Sequence, residues 1–285
     1  MRRIQLGHED AAIFETFVVP RYLSLFGERV TAMLAEGSDA RVCHLDCRTG
    51  YPDRTLLERL PGAHVYGCDP SDHAVQLART KAAALAHDRA GAIFDYWVAP
   101  SLPLPFPGGA FSHGFVLHPF ASSRQSFLEE LARILAPSGQ AIVAMPIRGS
   151  FVEILDLLRE CALKHELTEL ARALDDASAL RPTDDMFMRE LERVGFEFVE
   201  IDVRQRSLKL PSGRAFLEDP VIRLLVIPEL RATLGLGEPR ADEPSTEVLA
   251  LDPFDYVRDA IDKYWSDGSF AVTVNVGVVS GRRRG

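Results

Sequence analysis

The chain has 285 residues, is 47% hydrophobic and 26% charged, and carries a formal net charge of -9. That length suits one α/β domain with additions better than two full domains. The acidic balance argues against a broad nucleic-acid surface, which would need Lys and Arg to face phosphates. A short basic end, Arg282-Arg283-Arg284, reads as a solvated tail.

No stretch approaches the roughly 18 apolar residues of a membrane span. The opening MRRIQLGHED places acids where the apolar part of a secretory signal would lie. The expectation is a cytoplasmic protein whose four cysteines, Cys43, Cys47, Cys68 and Cys161, are reduced. Cys43 and Cys47 lack a second ligand pair at zinc-site spacing, so they read as small buried side chains and no metal is expected.

In chain order, residues 9–36 carry an apolar helical face from Ile13 to Leu34, with Pro20 marking a break or a helix start. Arg41 to Asp46 (RVCHLD) is a short apolar strand followed by a turn that ends at Gly50. Pro52 to Leu60 reads as a helix with Asp53 and Glu58 on its polar face. Ala63 to Cys68 is a second strand, and Ser71 to His87 a helix opened by Ser71 as N-cap. Ala92 to Val98 and Phe111 to Leu117 are strands separated by a Pro-rich loop. Ser123 to Leu135 is an amphipathic helix stopped by Pro137 and Gly139, and Ala141 to Met145 a fifth strand. Strands of this length alternating with helices specify βαβ units, a parallel sheet and right-handed crossovers.

Beyond residue 150 the pattern loosens. Phe151 to Asp176 and Thr183 to Val194 read as helical, and Phe196 to Arg206 as a strand. Leu208 to Leu234 looks helical but broken by Pro211, Pro220 and Pro228. Glu238 to Ser245 reads as an exposed loop, Phe254 to Tyr264 as a helix, and Ser269 to Val279 as a β-branched final strand.

Four segments in this order carry a resemblance. YGCDPSD (Tyr66 to Asp72) has an acid followed by a small helix-capping residue at the end of the second strand. LPFPGGAF (Leu104 to Phe111), LARILAPSGQAIVAMP (Leu131 to Pro146) and LERVGFEFVEIDV (Leu191 to Val203) follow. Together they resemble class I S-adenosylmethionine (SAM)-dependent methyltransferases, in particular the UbiE-like and type 11 branch. The resemblance covers most of the chain. It implies an α/β, Rossmann-like fold with a mostly parallel seven-stranded sheet, an antiparallel last strand and helices on both faces. The expected organisation is an N-terminal helical cap over residues 1–40 and a methyltransferase-like domain over 41–285, with helical insertions at about 150–180 and 208–265.

The resemblance also implies SAM as the cofactor. A glycine-rich loop after the first strand lets the chain approach the nucleoside closely. An acid ending the second strand holds the ribose hydroxyls, and an acid or amide after the third strand accepts from the adenine amino group. Aligned on Gly50, the family's acid-x-Gly-x-Gly-x-Gly stands here as His44-x-Asp46-x-Arg48-x-Gly50. Only the last glycine is kept. Pro100 takes the place of the acid after the third strand, whereas Asp69 keeps the ribose acid. The usual Asp after Phe111 is Ser112, and the PGG turn is Pro137-Ser138-Gly139.

The candidate cofactor residues are therefore Asp46, Cys47, Arg48, Gly50, Asp69, Pro70 and Leu117, each with a plainer alternative. Asp69 either binds a ribose or supplies favourable charge to the next helix. Arg48 either contacts an anion, such as the cofactor carboxylate or Asp46, or plugs the pocket. His118, just after the fourth strand, is the candidate catalytic residue, as a general base, with a plain turn residue as its alternative. Methyl transfer from a sulfonium often needs only alignment of the acceptor, so no obvious acid–base pair is required.

Two functions follow. One is a methyltransferase-like protein with a degenerate cofactor loop, non-catalytic or with altered ligand use, whose partner is another protein or ligand. The other is an active SAM-dependent methyltransferase on a small or lipid-like acceptor. In that case the N-terminal helices and the segments 150–180 and 208–250 would enclose the acceptor, with Phe14, Phe17, Phe151 and Phe216 as candidate lining.

Overall fold

The structure is a computed structural model that describes residues 3–88, 91–237, 252–266 and 268–285. The expected loop at Glu238 to Ser245 lies outside them.

Seven strands form one sheet in the order β3-β2-β1-β4-β5-β7-β6. They are β1 (Arg41–Leu45), β2 (His64–Asp69), β3 (Ile93–Val98), β4 (Phe111–Leu117), β5 (Leu135–Pro146), β6 (Phe196–Leu210) and β7 (Phe270–Arg283). The neighbours from β3 through β5 pair in parallel, and β7 lies antiparallel on β5. β1 and β4 are central. Val42 to Leu45 are buried without alternation, as strands covered on both faces require.

The chain divides into two compact units. The first comprises Met1–Pro146, Pro182–Arg204 and Val276–Gly285, and the second Ile147–Arg181 and Gln205–Asn275. In the first unit, α1 (His8–Ile13), a π-helical stretch (Phe14–Leu23) and α2 (Ser24–Met33) run on without interruption. Pro20 therefore sits inside a helix and does not break it. The wider π turn carries the carbonyl four residues back away from the ring, and Ser24 Oγ donates to the Pro20 carbonyl at 2.9 Å.

The helix after β1 is shorter than expected: α3 covers only Asp53–Leu56, and turns follow. α4 (Asp72–Asp88) packs Val75, Ala78 and Ala82 against Cys47 and Tyr96. Small residues four apart let this helix lie close to the sheet. α5 (Arg124–Ile134) buries Phe127, Leu128, Leu131 and Ile134. It ends before the expected stop because Leu135 is already extended (φ -80°, ψ 136°) and pairs with Phe111. Pro137 disfavours helical backbone at the residue before it. α8 (Asp184–Arg193) belongs to the same unit, and its N-cap Thr183 accepts from the Met186 amide.

The second unit is helical: α6 (Val152–Lys164), α7 (Thr168–Leu180), α9 (Gly213–Glu218), a π-helical stretch (Ile222–Val226), α10 (Ile227–Leu234) and α11 (Pro253–Tyr264). Two expectations change here. Leu208 to Leu210 belong to β6, because Leu208 and Leu210 are buried around exposed Lys209, a two-residue period. Pro228 does not break the helix: α10 runs on from the π-helical stretch, and the ring sits two residues past it.

Candidate functional site

In open α/β sheets ligands bind outside the carboxyl ends of the strands, where the strand order reverses. Here that edge is formed by the residues after β1, β2, β3 and β4, and most of the sequence-derived candidates meet there.

The loop after β1 keeps a backbone suited to glycine. Asp46, Arg48 and Gly50 have φ of 50°, 47° and 79°, all left-handed. These are the three positions at which the family motif writes glycine. A non-glycine residue there costs about 1 kcal/mol or more. Gly50 also lacks room for a side chain, since a Cβ would approach the Tyr96 hydroxyl at 3.0 Å and Ala78 at 3.2 Å. At Gly67 on β2, a Cβ would run into the Tyr96 ring.

Side chains fill the space over this loop. Arg48 is buried and donates from Nη1 to the Leu117 carbonyl at 2.7 Å and from Nη2 to the His118 carbonyl at 2.9 Å. Its backbone N–H donates to Asp69 Oδ2 at 2.9 Å, while Asp69 Oδ1 accepts from the Ser71 amide at 2.8 Å. Both oxygens of the expected ribose acid thus hold protein donors, and Asp69 is 2% exposed. Pro70 is buried between them in sequence.

Asp46 is paired with Arg3, whose Nε donates to Oδ1 at 2.5 Å and whose Nη1 donates to the Ala99 carbonyl at 2.7 Å. That carbonyl precedes Pro100, so Arg3 supplies a donor where the resemblance places the adenine amino group. Cys47 is buried, its amide donating to the Cys68 carbonyl at 3.1 Å.

The side chains of two arginines and two aspartates thus share one buried site. Burial raises the Asp69 carboxyl to about 7, and the Asp46 charge pushes the same way against the Ser71 and Arg48 donors. Burial also lowers the Arg48 guanidinium, against the pull of Asp46 and Asp69.

His118, the candidate base, is fully buried with a left-handed φ of 48°. Its Nε2 lies 2.9 Å from the Tyr22 hydroxyl, and its ring meets those of Tyr22 and Phe26 edge-on. Among the candidate acceptor residues, Phe14, Phe151 and Phe216 are core side chains, and Phe17 is 54% exposed.

Several residues at this edge escape sequence reasoning. Arg3 is one; its partner Asp46 lies 43 residues away, a separation that leaves no local signal. Asp53, expected on a polar helix face, is buried. It accepts from the Tyr96 hydroxyl at 2.5 Å and lies 2.9 Å from His44 Nδ1, whose ring stacks on Phe115 at 4.2 Å. Burial first, then the Asp53 charge, holds the Tyr96 hydroxyl well above its usual range. No group of three His, Cys, Asp or Glu among the described residues is arranged to hold a metal ion.

Comparison with known proteins bears on this geometry. Residues 44–143 match the methyltransferase domain family of type 11. The chain is 35% identical over 153 residues to the demethylmenaquinone methyltransferase of Thermus thermophilus, covering 47% of this chain and 66% of that enzyme. Similarity to a methyltransferase domain thus covers residues 44–143, and the chain spans less than two thirds of that enzyme's length. The fold recurs in a putative methyltransferase of Bacillus halodurans, at TM-score 0.54 and 15% identity, covering 93% of this chain and 99% of the other. It recurs in the YcgJ protein of Bacillus subtilis at TM-score 0.52 and 12% identity, covering 91% and 98%.

Against that background the residues present do not fit SAM held in the superfamily's usual manner. Both oxygens of Asp69 already accept from protein N–H groups, Arg3 donates to the carbonyl before Pro100, and a buried arginine stands at the loop's second glycine position.

Proposed function

We propose that this chain is a methyltransferase-like protein whose cofactor cleft is filled by its own residues, with a binding or regulatory role in place of methyl transfer. The observation that carries this reading is the Arg48 guanidinium, seated on the Leu117 and His118 carbonyls at the carboxyl end of β4. A buried guanidinium with both terminal nitrogens bonded is costly to displace, because moving it leaves two buried carbonyls without their donors. A cytoplasmic location belongs to this reading and is supported by the four unpaired thiols. No helix among the described residues is long and apolar enough to cross a membrane.

A second reading is an active SAM-dependent methyltransferase on a small or lipid-like acceptor. The left-handed backbone at Asp46, Arg48 and Gly50 favours it, as does Arg48 Nε, which is buried without an acceptor among the described residues. A ligand carboxylate would suit that donor.

Calorimetric titration with SAM and with S-adenosylhomocysteine separates the two, with Asp69→Ala as control. The filled-cleft reading expects no heat and no thermal shift at millimolar ligand. Micromolar binding that disappears in the control would overturn it.

A further inference from the structure

Residues 3–7 have no regular secondary structure, yet the Arg3 side chain and Leu6 are buried. Two anchors hold them. The Arg3 guanidinium bonds Asp46 and the Ala99 carbonyl, and its Cζ stands 5.9 Å from the centre of the Phe127 ring. The Leu6 amide donates to Ser71 Oγ at 3.1 Å, and the same hydroxyl donates to the Leu6 carbonyl at 2.7 Å.

All of these partners lie at the carboxyl edge of the sheet: Asp46 after β1, Ala99 after β3, and Ser71 at the start of α4. Ligands, not strands or helices, ordinarily occupy this position in such a sheet. The segment binds there as a peptide would, through one charged side chain and a pair of backbone bonds. The pocket for that side chain combines a carboxylate with a carbonyl acceptor in a buried setting, which suits the several in-plane donors of a guanidinium. An ammonium would match this acceptor geometry less well.

We propose that Asp46 and the Ala99 carbonyl form a guanidinium-binding site, that Arg3 is its built-in occupant, and that a small guanidinium compound competes with Arg3 for it. This rests on the filled-cleft reading, since it assigns a cationic ligand to space that SAM would otherwise need.

The test uses the full chain and agmatine as the probe, with a primary alkylammonium of equal length as control. Arg3→Ala vacates the site without touching Asp46. Its Tm is expected to fall by several degrees, and millimolar agmatine is expected to recover at least half of the loss. The alkylammonium should recover little. Agmatine should not rescue the double variant Arg3→Ala, Asp46→Asn.

Should Arg3→Ala fail to fold, hydrogen exchange on the wild-type chain gives a second readout. Agmatine should accelerate exchange of the Leu6 amide several-fold as the segment is displaced. The proposal is overturned if exchange at Leu6 is unmoved by agmatine. Equal rescue by the alkylammonium, or persistent rescue in the double variant, overturns it too. Micromolar SAM binding to the wild type would sink the filled-cleft reading whatever agmatine does. Failure of agmatine alone would sink only the guanidinium site.

Discussion

Arg48 shows how one residue can oppose two energies. Its left-handed backbone costs about 1 kcal/mol or more, and glycine would relieve that cost. Its guanidinium, however, satisfies two buried carbonyls and faces two buried carboxylates. Removing one member of such a group typically costs about 3–5 kcal/mol. The electrostatic effect wins, so Arg48→Gly should lower stability by roughly 2–4 kcal/mol, read by urea unfolding. A more stable variant would mean that the guanidinium does not sit as described. Asp69 makes a separate prediction. Its carboxyl titrates near 7 when folded, against an ordinary value of 3.8. The folded state therefore holds a proton that the unfolded state gives up between about 4 and 7. Stability from this group is present at the acid end, falls as pH rises through that window and is level above it. Between pH 5 and 7.5 the wild type should lose about 2–3 kcal/mol more than Asp69→Asn. Equal slopes in urea unfolding would show a carboxylate ionised throughout.

Among the elements, the helices of the second unit depend on close backbone approach. Gly213 opens α9, and its amide donates to Asp262 on α11 at 2.6 Å. A Cβ at this position would overlap the backbone carbonyl of Arg258, which cannot rotate away as a side chain could. Gly213→Ala should therefore cost about 2–3 kcal/mol through overpacking. Gly237, where a Cβ would meet nothing within 4 Å among the described residues, provides the neutral comparison. Thermal melts of the two variants check this, and indistinguishable melting would contradict the packing of α9 on α11. The elements also show what proline signals mean. Pro137 acts as expected, helping to end α5, whereas Pro20 lies inside one π-helical stretch and Pro228 just after another, and neither ends its helix. Proline restricts φ and removes a donor, but whether a helix stops depends on whether that donor was needed.

For the whole molecule, the fold was legible because its signals are local. Hydrophobic runs at β1 and β4, the alternation of strands and helices, and the acid closing β2 each lie within a dozen residues. The gathering of the candidate residues at one edge was legible in the sequence, and their geometry was not. Asp46, Arg48, Asp69 and Leu117 come together as the motif alignment implies. Around them Arg3 pairs with Asp46, Tyr22 with His118 and Asp53 with Tyr96, all contacts between residues far apart in the chain. Tyr96 and Asp53, for example, are 43 residues apart, and neither neighbourhood carries a mark of the other. The route of residues 3–7 has a practical corollary. Any polypeptide joined ahead of Arg3 leaves the molecule at the carboxyl edge of the sheet, beside Asp46 and Ser71. An amino-terminal affinity tag would therefore be tethered close to the site that Arg3 occupies. A tag placed after Arg283, which ends β7, keeps ligand titrations free of that neighbour.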